Sequence, residues 1–277
     1  MSNVSPADVK KLRDITGAGM MDCKAALGES GGDFDKAIEY LRKKGQKLSI
    51  KRADRDAKEG AVIALVSADK TQGIIVRLSS ETDFVAKNQD FIDLTTSFAK
   101  LALEHMPATL EDLLQIPYNG GVTIADKVSE QVAVIGEKIE LAQYEFLKAP
   151  MVAPYIHMGN KAAVLVGLSK ANDSYYEAGR DVAMQVAAMK PIALDEHSVD
   201  SSIIEKEIEI GMELARKEGK PENMLENIAK GKLRKFFETN TLINQSFVKD
   251  NKKTIQQFLH DIDKDLTVTA FRHVTLG

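Results

Sequence analysis

Tryptophan is absent from this chain, cysteine occurs once, at Cys23, and aromatic residues make up only 6% of its 277 positions. A lone cysteine excludes an intrachain disulfide, so the fold has to rest on packing and hydrogen bonds, and a reducing compartment is expected. No apolar run approaches the roughly 20 residues that a membrane-spanning helix needs. The start, Met1-Ser2-Asn3-Val4-Ser5-Pro6, has neither a basic segment nor an apolar core, so no secretory signal is expected and the cytoplasm is the expected location. Excess charge of one sign is lacking as well. The 37 basic and 41 acidic residues leave a net charge of -4, which argues against whole-molecule attraction to nucleic acid. What remains, 44% hydrophobic and 28% charged residues, is the composition of a globular protein long enough for one large domain or two to three smaller ones.

Catalytic signatures are missing too. The five histidines, His105, His157, His197, His260 and His273, are scattered, and none pairs with another or with Cys23 at metal-ligand spacing. Gly17-Ala18-Gly19 lacks the third glycine and the preceding strand of a dinucleotide loop, and reads as a helix-breaking turn. Gly231-Lys232 lacks the upstream glycine and the hydroxyl residue of a phosphate-binding loop. Neither a metal nor a cofactor is therefore expected on the chain.

Periodicity supplies the organisation. Ser5 caps a first helix with Pro6 in its opening turn and Val9, Leu12 and Ile15 on one face. A second helix carries Met20, Cys23, Ala26 and Leu27, and Asp33 caps a third with Phe34, Ala37, Ile38 and Leu41. Gln46 to Gly60 is densely charged and reads as a linker; its acids, interleaved with Lys51, Arg52 and Arg55, and its lack of aromatics argue against a nucleic-acid strip. Two segments then repeat one plan: strands at 62–66 and 74–78 followed by a helix to His105, and strands at 152–157 and 162–168 followed by a helix bearing Val182, Val186 and Met189. Between them, Ile124, Val128, Val132 and Ile135 predict a helix and 139–147 a strand. Ile204, Ile208, Met212 and Ala215, the turn Gly219-Lys220-Pro221, and Leu225, Ile228, Lys232, Leu233 and Phe236 predict an antiparallel helical hairpin, either projecting or packed on the body. A strand at 267–275 closes the second unit. The class is α+β: a three-helix bundle at 1–50, a linker at 51–60, and two related α+β subdomains at 61–149 and 150–277, the second carrying the inserted hairpin at about 199–238.

Apolar side chains in two connections stand out from this plan. In Glu81-Thr82-Asp83-Phe84-Val85-Ala86-Lys87, Phe84 falls between a strand and a helix, where it either folds back as a lid or faces a partner. Met20 and Met21 open the second helix directly after Gly19, in a layout that resembles ubiquitin-associated domains, whose corresponding loop docks partners. Because adjacent helical positions diverge by about 100°, one of the two methionines is expected in the small core.

Thr16 through Leu27 (TGAGMMDCKAAL) and Thr82 through Lys87 (TDFVAK) closely resemble the two signature stretches of the bacterial elongation factor Ts family. The likeness extends to Ala133 through Glu137, to Gly219-Lys220-Pro221 and to Gly231 through Phe236, so it covers nearly the whole chain in order. The resemblance implies a guanine-nucleotide exchange factor, not an enzyme, whose partner is the GTPase elongation factor Tu, with no direct nucleic-acid or membrane contact. It implies that Thr82, Asp83, Phe84 and Val85 intrude near the partner's magnesium site, that Met20 and Met21 dock beside the nucleotide pocket, and that Ile135, Gly136, Phe247 and Val248 make further contacts. It also implies the ubiquitin-associated-like bundle and a coiled-coil hairpin. The sequence ends at Gly277 soon after the last strand, so the extra C-terminal helical module of some members is expected to be absent, and Gln185 stands where some members place a histidine. Two other readings compete. A ubiquitin-associated-type adaptor accounts for Met20 and Met21 but not for 82–87, and a hydrolase or transferase using Glu81 and Asp83 lacks any marked substrate pocket.

Overall fold

The computed structural model describes residues 4–119 and 121–276; the first three residues of the expected bundle and the terminal Gly277 lie outside it. Helix α1 (Pro6–Thr16) starts where Ser5 Oγ accepts the Asp8 amide and ends at Gly17, whose φ of 70° only glycine adopts without cost. After α2 (Met20–Glu29), α3 (Phe34–Lys51) is capped by Asp33 and runs for 18 residues. These helices enclose a small core of Val9, Leu12, Cys23, Ala26, Leu27, Ala37 and Leu41. Ile15, expected on that face, is 58% exposed, because α1 buries only the stripe through Val9 and Leu12.

The linker expected from Gln46 to Gly60 is shorter than its charge suggests. Residues 46–51 continue α3 and Glu59-Gly60 open the first strand, leaving 52–58 between them. Helix persists there because α3 lies along a later helix of the body, where Leu48 joins the first body core.

Strands β1 (Glu59–Val66) and β2 (Gln72–Ser80) form an antiparallel hairpin, followed by α4 (Asp83–Ala86), α5 (Gln89–His105), α6 (Leu110–Leu114), the short pair β3 (Pro117–Tyr118) and β4 (Val122–Thr123), and α7 (Ile124–Ile135). Strand β5 (Ile139–Lys148) then returns to pair with β2, giving the order β1-β2-β5. The second unit repeats the scheme. Strands β6 (Met151–Ile156) and β7 (Ala162–Leu168) pair, α8 (Asp173–Met189) covers them, and the hairpin of α9 (Ser201–Lys217) and α10 (Glu222–Asn240) intervenes. After β8 (Ser246–Phe247), β9 (Asp250–Thr254) and α11 (Ile255–Ile262), the last strand β10 (Val268–Thr275) pairs with β7. The kinship of the two units therefore extends to a third strand added beside the second strand of each hairpin. The molecule is α+β, with small antiparallel sheets and helices set against them.

The two larger sheets are stacked back to back. Along β1 the side chains alternate, Ala61 and Ile63 joining the core beneath α5 while Val62 and Ala64 face the other sheet. In β7 the same division sends Val164, Val166 and Leu168 toward α8 and Ala163 and Leu165 toward the first sheet. Both faces of each sheet are thus covered, which explains why these antiparallel strands read as continuous apolar runs instead of alternating ones.

Helices α9 and α10 pack chiefly on each other, where Gly211 meets Ala229, so the hairpin stands away from the body as one of the two expected arrangements required. Met189, expected on the buried face of α8, is exposed at the helix end.

Helix α3 meets α7 at Gly45, where an added Cβ would stand 2.5 Å from the Ser129 carbonyl oxygen. Gly45→Ala gains up to about 1 kcal/mol of helix propensity, yet forcing that backbone apart costs about 1–3 kcal/mol. The variant is expected to melt below the parent protein, and Gly45→Val lower still; a melting temperature at or above that of the parent would show that the two helices are not in this contact.

Candidate interaction site

Phe84 is 84% exposed, on a helix of a single turn. The neighbouring positions explain why. Val85 packs partly against the core beneath α5 and Ala86 is buried, so the roughly 100° step between adjacent helical residues turns Phe84 outward. The lid alternative is excluded by that exposure.

A helix of four residues cannot hold itself together in water, since the first turn fixes several dihedrals for one hydrogen bond. Here the turn is held from outside. Glu137 Oε2 accepts the Thr82 amide at 3.0 Å and its Oε1 accepts the Thr82 hydroxyl at 2.8 Å. In the reverse direction Glu81 Oε1 accepts the Lys138 amide at 2.6 Å. The two acidic residues cross the gap just beyond the Ser80–Ile139 pair of β2 and β5, each bonding the backbone beside the other, so the ladder continues through carboxylates after its strands end. Ser80 Oγ adds a bond to the Thr82 carbonyl at 3.0 Å. Thr82 occupies the capping position of α4 but makes no side-chain cap; its hydroxyl donates to Glu137 instead.

Glu81 also receives Arg52 Nη1 at 3.0 Å and Arg55 Nη1 at 3.1 Å, both from the charged stretch that follows α3. Its carboxyl is held below the usual range, first by the Lys138 amide and then by the two guanidinium groups, against the opposing effect of burial. The basic residues that the sequence offered as a nucleic-acid strip are in this way partly spent on an internal acid. The Lys138 amide and the part-buried Arg52 hold Glu81 more firmly than the exposed Arg55, whose contact solvent screens. The Asp83 carboxylate, by contrast, pairs with the exposed Lys87 at 2.6 Å, which lowers its pKa through that hydrogen bond first and its charge second.

The methionines depart from expectation. Met20 is 59% and Met21 73% exposed, so neither fills the bundle core; Cys23, Ala26 and Leu27 suffice. An ion pair of Asp22 with Lys44 fastens α2 to α3 behind them. Ile135 is partly buried against the body core, and Gly136 ends α7 with φ 80° and is exposed, directly before Glu137.

Phe247 corrects the expected site. It is 4% exposed with its ring stacked on Phe258 at 4.4 Å, so it is a core residue, and of the pair Val248, 46% exposed, is the one that reaches the surface. Gln185, fully buried, accepts the Val248 amide at 2.8 Å and donates to Gln245 Oε1 and the Ser246 carbonyl, both at 3.1 Å. This amide sets the turn that presents Val248. Among the described residues no group of three or more His, Cys, Asp or Glu side chains is placed to hold a metal ion, and no helix is long and apolar enough to cross a membrane.

Residues 81–277 match the model of the family described as Elongation factor TS. The chain belongs to that family. It is 54% identical over its full length to "Elongation factor Ts" of Christiangramia forsetii and 52% identical to that of Flavobacterium psychrophilum, covering 100% of each. A more distant relative of the same name, from Thermobifida fusca, is 44% identical over 100% of this chain and 99% of its own. Family membership makes this a translation elongation factor of the Ts class, and the turn at 82–86 that exposes Phe84 lies at the start of the matched region.

The sequence marks 82–85 but not the residues that hold it. Glu137 falls within the stretch from Ala133 that carries the family likeness, yet nothing local ties it to a threonine 55 positions earlier.

Gln185→Leu keeps the volume but removes the bonds to the Val248 amide, the Ser246 carbonyl and Gln245 Oε1, which should cost about 2–3 kcal/mol. A lowered urea midpoint is expected; an unchanged one would mean that these groups find other partners.

Proposed function

We propose that this chain is a guanine-nucleotide exchange factor, acting on the GTPase elongation factor Tu without catalysing a covalent step, and that Phe84 is its wedge. The exposed Phe84 ring on a braced turn carries the reading. A large aromatic left in water costs free energy that a complementary crevice recovers, about 1.5–3 kcal/mol on full burial. That amount offsets part of the cost of shifting a helix beside a nucleotide pocket.

A GTPase retains GDP through phosphate contacts and a magnesium ion that neutralises the phosphate oxygens, so disturbing the ion leaves negative charge uncompensated and the nucleotide departs faster. Asp83 stands beside the wedge and acts on the magnesium environment by repulsion or by rearranging its supporting contacts. Its pairing with Lys87 is an exposed bond between residues four apart, screened by solvent, so a partner displaces it at small cost. Most of the driving force comes from the ring.

Met20 and Met21, with Gly136 and Val248, supply affinity instead of displacement. Thioether side chains adapt to an irregular surface, and both are free to do so. The adaptor reading draws on the same methionines but gives Phe84 no task. Thr82 and Val85 act from within this chain, the first anchoring the turn and the second seating it on the core.

Phe84→Ala is expected to leave the fold intact and to slow release of a fluorescent GDP analogue from the partner GTPase by roughly 10- to 100-fold, the kinetic equivalent of the burial above. An unchanged stopped-flow rate would refute the wedge. Met20→Ala with Met21→Ala should instead weaken complex formation by roughly tenfold, about 1.4 kcal/mol, in titration calorimetry while the release rate at saturation stays near the parent value; unaltered affinity would count against a docking role.

A further inference from the structure

We propose that Glu137 and Glu81 are positioning residues of exchange, locking the turn at 82–86 so that the Phe84 ring is offered in one orientation. The inference rests on the wedge reading and adds which groups outside the motif make it work. Three observations carry it. Phe84 is 84% exposed and so has little packing of its own to orient it. The helix bearing it spans four residues and its capping threonine makes no side-chain cap, so local hydrogen bonding cannot fix the turn. Both Glu137 oxygens are committed to Thr82, while Glu81 joins that turn to the Lys138 amide and to Arg52 and Arg55.

The supports of the two acidic residues are rigid and distinct. Glu137 follows the exposed Gly136 at the end of α7 and precedes β5, whereas Arg52 is the residue that terminates α3. Since α3 packs along α7, the two struts that reach the turn are themselves fixed to each other. The bundle that carries Met20 and Met21 is therefore connected through α3 and Arg52 to the residue preceding Thr82.

Loss of the lock leaves the ring present and the remaining contacts intact, so it should reduce the share of bound complexes in which the ring is inserted. The readout is a fall in the maximal release rate, with a smaller change in the concentration giving half of it. Glu137→Ala removes both bonds to Thr82 and is expected to lower the maximal release rate of a fluorescent GDP analogue by about tenfold, with half-saturation shifted less than about threefold. Thr82→Val deletes only the hydroxyl bond and should fall between the two, while Thr82→Ser restores the parent rate. In the free protein, hydrogen exchange at the amides of 82–86 should quicken in Glu137→Ala, which reports the lock without any partner.

Non-additivity separates positioning from a general structural effect. Added to Phe84→Ala, Glu137→Ala should slow release no further, because there is no ring left to orient. A parent-like maximal rate in both Glu137→Ala and Thr82→Val, or a loss that multiplies with that of Phe84→Ala, would overturn the inference while leaving the wedge standing. A parent-like rate in Phe84→Ala itself would overturn the wedge and the positioning role together.

Discussion

The stacking of two three-stranded sheets on one shared core is the constraint from which the other placements follow. Gly73 in β2 lies so close to Val152 and Leu165 of the second sheet that an added Cβ would stand 2.8 Å and 2.9 Å from their side chains, and Arg77 reaches across to the Thr275 carbonyl at 3.0 Å. Interiors packed at that density transmit displacement instead of absorbing it. The ends of β2 and β5 are consequently fixed, and so are the loops that leave them: Glu81-Thr82 from one and Glu137-Lys138 into the other. Had the two units been joined by a flexible segment, Phe84 and Val248 would belong to bodies free to reorient. Through the common core they are presented by one framework.

Much of that framework is legible in the sequence because burial on both faces writes long apolar runs, and because the two hairpin-plus-helix segments repeat. Phe84 is legible from its position between a strand and a helix. The end of α3 is not, since its surface positions are charged and its contact with α7 is made at Gly45, a residue that breaks helical periodicity. The divergence of adjacent helical positions divides Met20 and Met21 between core and surface, but the bundle is too small to need either. Phe247 shows the opposite error. Family likeness groups it with Val248 as a contact, but the partner of its ring is Phe258 on α11, an eight-residue helix whose short apolar stripe of Ile255, Phe258, Leu259 and Ile262 is easily passed over between a charged strand and a turn.

The bonds that brace the turn are illegible for a different reason. Thr82 and Glu137 are separated by 55 residues, and Arg52 and Glu81 by 29. A carboxylate that accepts a backbone amide leaves no imprint on hydrophobic pattern, and one acid among many reads as a solvated surface. Register is what brings these groups together: the β2–β5 ladder pairs Ser80 with Ile139, and only once that pairing is known do the residues beyond each strand end face one another. Local structure can be inferred from local sequence, whereas this site exists only at the level of sheet topology.

The magnitudes indicate why such bracing is required on the proposed reading. Burying the Phe84 ring yields about 1.5–3 kcal/mol. Ordering a loose four-residue turn at the moment of binding would cost on the order of 4–8 kcal/mol, at about 1–2 kcal/mol per residue, which is more than the ring returns. A wedge on a flexible loop would thus be a net loss. With the turn already ordered by Glu81 and Glu137, the cost is met during folding, where charge-assisted bonds and the sheet core offset it, and the burial energy remains available against the partner's nucleotide. Linkage then requires reciprocity: whatever factor the inserted ring takes from nucleotide affinity, bound nucleotide takes from the affinity of this chain. A moderate wedge on a stiff support therefore suits exchange better than a tight one, because the same complex that expels one nucleotide has to be dissolved by the next.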